Sequence, residues 1–280
     1  MSQVTVREAL AGAVSEIAAA GCPTPRLDAE LLLAHALGVE RERLLCDASA
    51  IVVDGALPAF RRSVRRRAGE REAVAYITGQ RAFRNLTLGV DRRALIPRPE
   101  TELLVEVALA LPERVRVLEV GTGSGAVALA LKQERPDLRV TATDISVRAL
   151  ALARENAASL ALDVRFLRAD LLEGLDHEFD AVLANLPYVA EAERRALAPE
   201  IVLHEPPEAL FAGSDGLAAI GALLAQLARR RTTEMVALEV GAGQARAVAA
   251  RTRAAGFRDV RCERDLAGVE RVVVGQRRRR

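Results

Sequence analysis

Tryptophan is absent from this chain, and aromatic residues of all kinds make up only 3% of it. A surface that reads bases with aromatic rings set among basic side chains therefore has little to be built from. Charge of one sign is lacking too. The formal net charge of +2 is nearly balanced, which argues against a protein that tracks phosphates as a whole. Cysteine is scarce: Cys22, Cys46 and Cys262 lie far apart and match neither a disulfide framework nor a zinc spacing. They read as small buried apolar residues in a reducing, cytoplasmic compartment. No uninterrupted apolar run approaches the ~18–20 residues of a membrane span. The nearest, ALFAGSDGLAAIGALLAQLA (209–228), is broken by Asp215, three glycines and a serine. The opening MSQVTVREALAGAVSEIAAAG carries Glu8 and Glu16 and no basic stretch ahead of an apolar core, so it reads as a helix rather than a signal peptide.

What is present suits a globular protein. Half of the 280 residues are hydrophobic and 28% are charged, enough for one large domain or two ordinary ones. Residues 1–73 read as helices. Thr5 and Glu8 form a capping box ahead of Leu10, Val14 and Ile17. In RLDAELLLAHALG, Leu27, Leu31, Leu32 and Ala36 recur at helical spacing, and the helix stops at Gly38. This part carries no catalytic pattern. It suits equally a domain that grips a partner and a packing appendage. The clusters RRSVRRR (61–67) and RRRR (277–280) read as a solvated helix face and a frayed tail.

Residues 74–97 change character. Short β-prone runs separated by Gly79-Gln80 and by Gly89-Val90-Asp91 predict a hairpin linking two domains. From residue 98 onward, apolar strands alternate with helices: VRVLEV (115–120), LRVTAT (138–143), VRFLR (164–168), FDAVLA (179–184) and EMVALEV (234–240). Such runs predict an α/β fold around a parallel sheet covered on both faces. FRDVRCERD and ERVVVG follow with a short gap, which predicts an antiparallel hairpin at the sheet edge.

The first of these strands runs into Gly121-Thr122-Gly123-Ser124-Gly125 and then a helix. Glycines at alternate positions let backbone approach a ligand closely. The next strand ends in Asp144, nineteen residues after Gly125, where a carboxylate can accept from both hydroxyls of a ribose. Turn and acid together point to a nucleoside cofactor. The turn departs from the dinucleotide fingerprint G-x-G-x-x-G, and Glu119 stands two residues before it. A carboxylate there suits an ammonium and a sulfonium and opposes a pyrophosphate, which favours S-adenosylmethionine over a nicotinamide dinucleotide. Asp170 and Leu171, past the third strand, are candidate neighbours of the adenine; an ordinary turn at a strand end is the other reading.

Ligands of doubly wound sheets bind beyond the carboxyl ends of strands. The fourth strand therefore delivers Asn185, Leu186, Pro187 and Tyr188 beside a cofactor's methyl. A conjugated NH₂ group has two donors and needs two acceptors. The Asn185 side-chain oxygen and the Leu186 carbonyl can supply them, Tyr188 offers a flat face, and Pro187 stiffens the turn. Held in line, the nitrogen gains proximity and orientation. No metal or general base is required for the transfer itself.

The string NLPY resembles the Asn-Pro-Pro-Tyr motif of amino-group N-methyltransferases. The chain as a whole resembles the HemK/PrmC family of protein-(glutamine-N5) methyltransferases. The matching stretches include RLDAELLLAHALG (26–38), AYITGQRAF (75–83), LIPRPETELLVE (95–106), LEVGTGSGAVALAL (118–131), HEPPEALFAGSDGL (204–217) and DLAGVERVVVG (265–275). The resemblance implies three parts: a helical substrate-recognition domain over 1–73, a β-hairpin linker over 74–97, and a seven-stranded Rossmann-like methyltransferase domain over 98–280. It implies S-adenosylmethionine held by Gly121 to Gly125, Asp144 and Asn185, with S-adenosylhomocysteine as product. The substrate glutamine would sit on Asn185 to Tyr188, and the loop from Arg98 to Thr101 would close over the cofactor. The implied protein substrate is the Gly-Gly-Gln loop of bacterial class-1 release factors, gripped elsewhere by the helical domain. A cytoplasmic monomer that binds neither membrane nor nucleic acid is expected. Leu186 stands where the family has its first proline, and Leu171 where many relatives have an aromatic residue. The competing acceptors are a ribosomal-protein glutamine and the exocyclic amine of a nucleobase. Cofactor binding without transfer, and a nicotinamide-dependent reductase, are the other classes.

Overall fold

The computed structural model of the chain describes residues 4–53 and 55–277. They fall into two compact units, residues 4–80 with 198–204, and residues 81–197 with 205–277.

The first unit is helical: α1 (Val6–Ala19), α2 (Pro25–Leu37), α3 (Arg41–Cys46), α4 (Ala56–Gly69) and α5 (Val74–Thr78). The capping box forms, with Thr5 Oγ1 accepting from Glu8 N at 3.2 Å and Glu8 Oε2 accepting from Thr5 N at 2.9 Å. Gly38 ends α2 in the left-handed region at φ 65°. Ile17, Leu32, Leu33, Phe60 and Val64 meet in the core. The buried stripe of α2 is not the one expected, since Leu27 and Leu31 are exposed. Asp28 and Glu30 point inward instead. Glu30 pairs with Arg26 and Arg41, and Asp28 pairs with Arg67 at 2.6 Å. Arg67 also reaches Glu200 at 2.7 Å and is buried. The cluster 61–67 is thus a solvated face only in part. The cysteines are corrected in the same way: Cys22 is buried, Cys262 half-buried and Cys46 exposed. Helix α5 also occupies what reads in sequence as the start of a hairpin.

The hairpin itself is β1 (Gln80–Phe83) and β2 (Leu86–Gly89). Beyond it come α6 (Glu102–Leu109), β3 (Arg116–Val120), α7 (Ala126–Glu134), β4 (Arg139–Asp144), α8 (Val147–Ser159), β5 (Arg165–Arg168) and β6 (Ala181–Ala184). After α9 (Pro199–His204), which packs with the first unit, the chain continues through α10 (Ala218–Arg229), β7 (Met235–Glu239), α11 (Ala245–Ala254), β8 (Asp259–Arg264) and β9 (Glu270–Gln276). Seven strands form one sheet in the order β5-β4-β3-β6-β7-β9-β8. Five run parallel, and β9 pairs antiparallel with both β7 and β8, as the short final connection predicts.

Both faces are covered, and strand alternation decides which residue goes where. Val117, Ala181, Leu183, Ala237 and Val272 face the core under α6 and α7. Leu118, Val182, Ala184, Leu238 and Val273 face the core under α10 and α11. Strand β3 lies between β4 and β6, so the chain order reverses across the β3–β6 pair and a crevice opens at their carboxyl ends. Register places Val120 beside Ala184, which makes Gly121 and Asn185 neighbours at that crevice. The last arginine cluster is described only at Arg277, which is not frayed. Its guanidinium donates to the Arg230 and Leu227 carbonyls at 2.6 and 2.7 Å and lies over the Phe257 ring. Residues 278–280 lie outside the described residues.

Candidate active site

A cavity of about 240 Å³ opens at the β3–β6 crevice, lined wholly by the second unit. Its floor is the glycine turn. Gly121, Gly123 and Gly125 have φ of 75°, 56° and 87°, a region that side chains disfavour. A Cβ on Gly121 would stand 3.0 Å from Leu186 Cδ2 and 3.4 Å from the Asn185 carbonyl oxygen. The turn is also fastened from outside. Gly121 N and Thr122 N both donate to the Thr143 carbonyl at 2.9 Å. Asn156 of α8 donates to the Ser124 and Gly89 carbonyls and accepts from Gly89 N, tying the turn to the β1–β2 hairpin.

Two carboxyl groups flank the turn. Asp144 ends β4 with Oδ2 accepting from Gly123 N at 2.9 Å and Oδ1 accepting from Ser146 N at 2.8 Å. A carboxylate oxygen has two lone pairs, so each retains one for a ligand hydroxyl. Burial raises its pKa above the ordinary value, against those backbone bonds. Glu119 is more deeply buried. Its Oε2 accepts from Thr122 Oγ1 at 2.6 Å and from Ala128 N at 3.0 Å, and burial pushes its pKa up to about 8. Without a ligand it is therefore mostly protonated at neutral pH. The repulsion of a pyrophosphate expected from sequence is weaker than a free carboxylate would exert, and a cation bound there would draw the proton off.

Asp170 and Leu171 line the same cavity. Leu171 is held at φ 53°, an uncommon conformation for a branched side chain. Asn185, Leu186 and Pro187 line the cavity beside the turn, as do Arg98 and Thr101. Asn185 Nδ2 donates to Thr101 Oγ1 at 3.1 Å, so its Oδ1 is the edge left for a further donor. Tyr188 is not among the lining residues. Its hydroxyl donates to Glu239 Oε1 at 3.4 Å and its carbonyl accepts from Gln244 Nε2 at 2.8 Å. Burial raises the Tyr188 pKa, and the nearby Glu239 adds to the effect. A Cβ on Gly216 would collide with the Tyr188 carbonyl oxygen at 2.2 Å, so this backbone seat requires glycine.

The crevice thus brings together Glu119, Gly121 to Gly125, Asp144, Asp170, Leu171 and Asn185 to Pro187, and sets Tyr188 apart. Asn156, Glu239 and Gln244 escape a reading of the sequence by motif, and Thr101, named there only as the end of the 98–101 loop, is found bonded to Asn185. For Glu239 there was a signal: the string LEVG occurs at 118–121 and again at 238–241, each time at the end of a central strand.

Comparison with known proteins gives a consistent result. Residues 99–216 match the Methyltransferase small domain, and residues 8–79 match the PrmC N-terminal domain. A release factor glutamine methyltransferase of Deinococcus radiodurans is 41% identical over 276 residues, spanning 97% of this chain and 98% of that protein. One of Mycolicibacterium smegmatis is 42% identical over 283 residues, with coverage of 97% and 98%. Among solved structures, the hMettl16 catalytic domain in complex with MAT2A 3′UTR hairpin 1 aligns with a TM-score of 0.56 at 15% identity. That alignment covers 81% of this chain and 83% of that one. A methyltransferase from Pyrococcus furiosus aligns with a TM-score of 0.53 at 18% identity, covering 70% and 90%. At these identities the likeness is one of fold.

Proposed function

The chain belongs to the family of release factor glutamine methyltransferases, and from that premise we propose that it methylates a release factor. The methyl group moves from S-adenosylmethionine to the side-chain amide nitrogen, N5, of the glutamine in the Gly-Gly-Gln loop of bacterial class-1 peptide chain release factors. The observation that carries this reading is the fixed Asn185 amide. Its donor edge is engaged by Thr101, and its acceptor edge remains for an NH₂ group, in the cavity whose floor is the glycine turn.

The cavity suits the cofactor. The left-handed glycines form a cradle that a Cβ would fill, Asp144 retains lone pairs for two ribose hydroxyls, and Glu119 can take the charge of an ammonium. Asp170 and Leu171 would flank the adenine. When bound, S-adenosylmethionine would supply a methyl carbon already activated by its positive sulfur; its C–S bond breaks as the N–C bond forms, S-adenosylhomocysteine leaves, and the nitrogen gives up one of its two protons to solvent after the transfer. The protein's task is to hold the acceptor. Asn185 Oδ1 and the Leu186 carbonyl accept the two N–H bonds of the glutamine amide, so the plane of the amide is fixed. Pro187 restricts the turn that presents both oxygens. Such positioning can supply several kcal/mol of the barrier.

The helical first unit would grip the release factor away from the loop. A cytoplasmic monomer with no direct hold on nucleic acid completes the proposal, and among the described residues no helix is long and apolar enough to cross a membrane. The test uses purified protein, a release factor and S-adenosylmethionine carrying a labelled methyl. The release factor becomes labelled, and a Gln-to-Ala change in its Gly-Gly-Gln loop abolishes the label. Label appearing on DNA, RNA or a ribosomal protein instead would overturn the assignment.

A further inference from the structure

Strand β6 lies between β3 and β7 in the sheet, so the Asn185–Tyr188 turn that follows it has a neighbour on each side. Both neighbouring strands end in LEVG, and each runs into a glycine turn: Gly121 to Gly125 after β3, and Gly241-Ala242-Gly243-Gln244 after β7. The first turn abuts Leu186 and the Asn185 carbonyl and floors the cavity. The second supplies no residue to the cavity lining and abuts Tyr188 instead. A Cβ on Gly241 would stand 2.9 Å from Gln244 Oε1 and 3.2 Å from Tyr188 Cδ2.

Gln244 makes two hydrogen bonds there. Its Oε1 accepts from Gly241 N at 2.9 Å, and its Nε2 donates to the Tyr188 carbonyl at 2.8 Å. The amide has one orientation that serves both partners. Turned over, it would set an NH₂ against an N–H and an oxygen against a carbonyl. A Cβ on Gly216 would stand 2.9 Å from Nε2, so a third segment also leaves room for this bond. The residue after Tyr188 is stitched in place as well. Val189 N donates to the Leu210 carbonyl at 2.9 Å, and Ala212 N donates to the Val189 carbonyl at 3.0 Å.

We propose that Gln244 is a positioning residue of the acceptor site, the peg by which the glycine turn of β7 holds the far end of the Asn185–Tyr188 turn. The near end is fixed by the pairing of β6 with β3 and β7. Pro187 fixes one φ between the two ends. With Tyr188 pinned by its carbonyl, few torsions remain by which the Leu186 carbonyl could swing away from an incoming NH₂ group. Without the Gln244 bond the turn keeps its residues and loses its aim. The two LEVG turns thus divide the work: that of β3 cradles the cofactor, and that of β7 holds the surface on which the acceptor lies.

The inference rests on the proposed acceptor site, and its test separates the two. Gln244→Met keeps the length of the side chain and removes both bonds. Gln244→Glu keeps an acceptor for Gly241 N. Its second oxygen repels the Tyr188 carbonyl when the group is ionised and donates to it when protonated. In ligand-free, isotope-labelled, full-length protein, the Tyr188 carbonyl carbon resonance should move upfield in Gln244→Met, as a carbonyl does on losing a hydrogen bond. An unmoved resonance overturns the inference whatever the substrate proves to be. In the methyl-transfer assay, Gln244→Met should lower kcat by about fivefold at every pH, the value of one neutral hydrogen bond. The Kd for S-adenosylmethionine, measured by calorimetry, should stay within about twofold of wild type, which also shows that the variant is folded. Gln244→Glu should fall at least about tenfold below wild type at about pH 8.5 and recover to within about threefold at about pH 5.5. The charged groups acting on Tyr188 are Glu239, Arg271, Arg98 and Glu100, with the Arg251–Asp215 pair next to Gly216. All are common to variant and wild type, so wild type measured at each pH is the reference. A packing role alone gives no such recovery. A ratio that does not change with pH, or wild-type kcat in Gln244→Met, overturns the inference and leaves the acceptor assignment intact. A wild-type protein that fails to label the release factor overturns the acceptor assignment, and with it this role, even where the Tyr188 resonance moves.

Discussion

Replacing Glu119 by glutamine should change how the stability of the ligand-free protein depends on pH. The side chain is 4% exposed, and burial carries its pKa from an ordinary 4.5 to about 8, against the bonds from Thr122 and Ala128. In the unfolded chain the group ionises near its ordinary value. Between pH 4.5 and 8, therefore, the folded protein keeps a proton that the unfolded chain has released. The unfolded state binds fewer protons, so stability falls as pH rises through that window and levels off above it. The slope is about 1.4 kcal/mol per pH unit, or roughly 5 kcal/mol in all. Glutamine copies the protonated acid: its oxygen can serve Thr122 and Ala128, and it has no proton to lose. Urea unfolding of Glu119→Gln should match wild type near pH 5 and exceed it by several kcal/mol near pH 8. Glu239, whose pKa rises to about 7, contributes a slope common to both proteins. Parallel curves for the two proteins across this range would refute the reasoning. The same carboxyl should release a proton when S-adenosylmethionine binds at pH 7, seen as a dependence of calorimetric heat on the buffer.

Three other substitutions test separate parts of the account. Asn156→Ala removes three hydrogen bonds from buried side-chain atoms and leaves the Ser124 and Gly89 backbone groups unpaired. A loss of about 2–3 kcal/mol in urea unfolding, with weaker cofactor binding, is expected; a loss below about 0.5 would contradict the fastening role. Arg67→Ala strands Asp28 in the interior of the helical unit, at about 3–5 kcal/mol, and a loss under about 1 kcal/mol would show that the pair is not dry. Leu186→Pro exchanges a buried side chain for a fixed φ at a position whose carbonyl does the work. Methyl transfer should be retained or rise, and a collapse would mean that the loop is built differently.

The parts of the fold legible in sequence were those that local patterns determine. Near-continuous apolar runs gave the five parallel strands, because a sheet covered on both faces needs apolar residues at every position. Thr5 and Glu8 announced their helix because both partners lie within one turn. The helical period of α2 was right and its buried face wrong. Asp28 and Glu30 are drawn inward by Arg67 and by Arg26 and Arg41, and two of those partners come from other helices. The hairpin region hid a helix, Val74–Thr78, since a five-residue stretch of β-branched and aromatic residues takes its form from packing rather than propensity.

The site followed the same rule. Gly121 to Gly125, Asp144 and Asn185 declare themselves because each directly follows or ends a strand in a recognisable order. The residues that hold them in place do not. Thr101 meets Asn185 across 84 residues of chain, Asn156 meets Gly89 across 67, and Glu239 meets Tyr188 across 51. None of these pairings has a local spacing to betray it. Thr101 lies inside LIPRPETELLVE (95–106), and Glu239 inside the second LEVG, but only the folded sheet reveals what either touches.

Whether a glutamine nitrogen is the acceptor can be read directly from its mass. A class-1 release factor incubated with this protein and S-adenosylmethionine should yield, in tandem mass spectrometry, a peptide bearing a single added methyl on the Gly-Gly-Gln glutamine. A fully active preparation that leaves that glutamine unmodified, or adds the methyl to any other residue, would contradict the account.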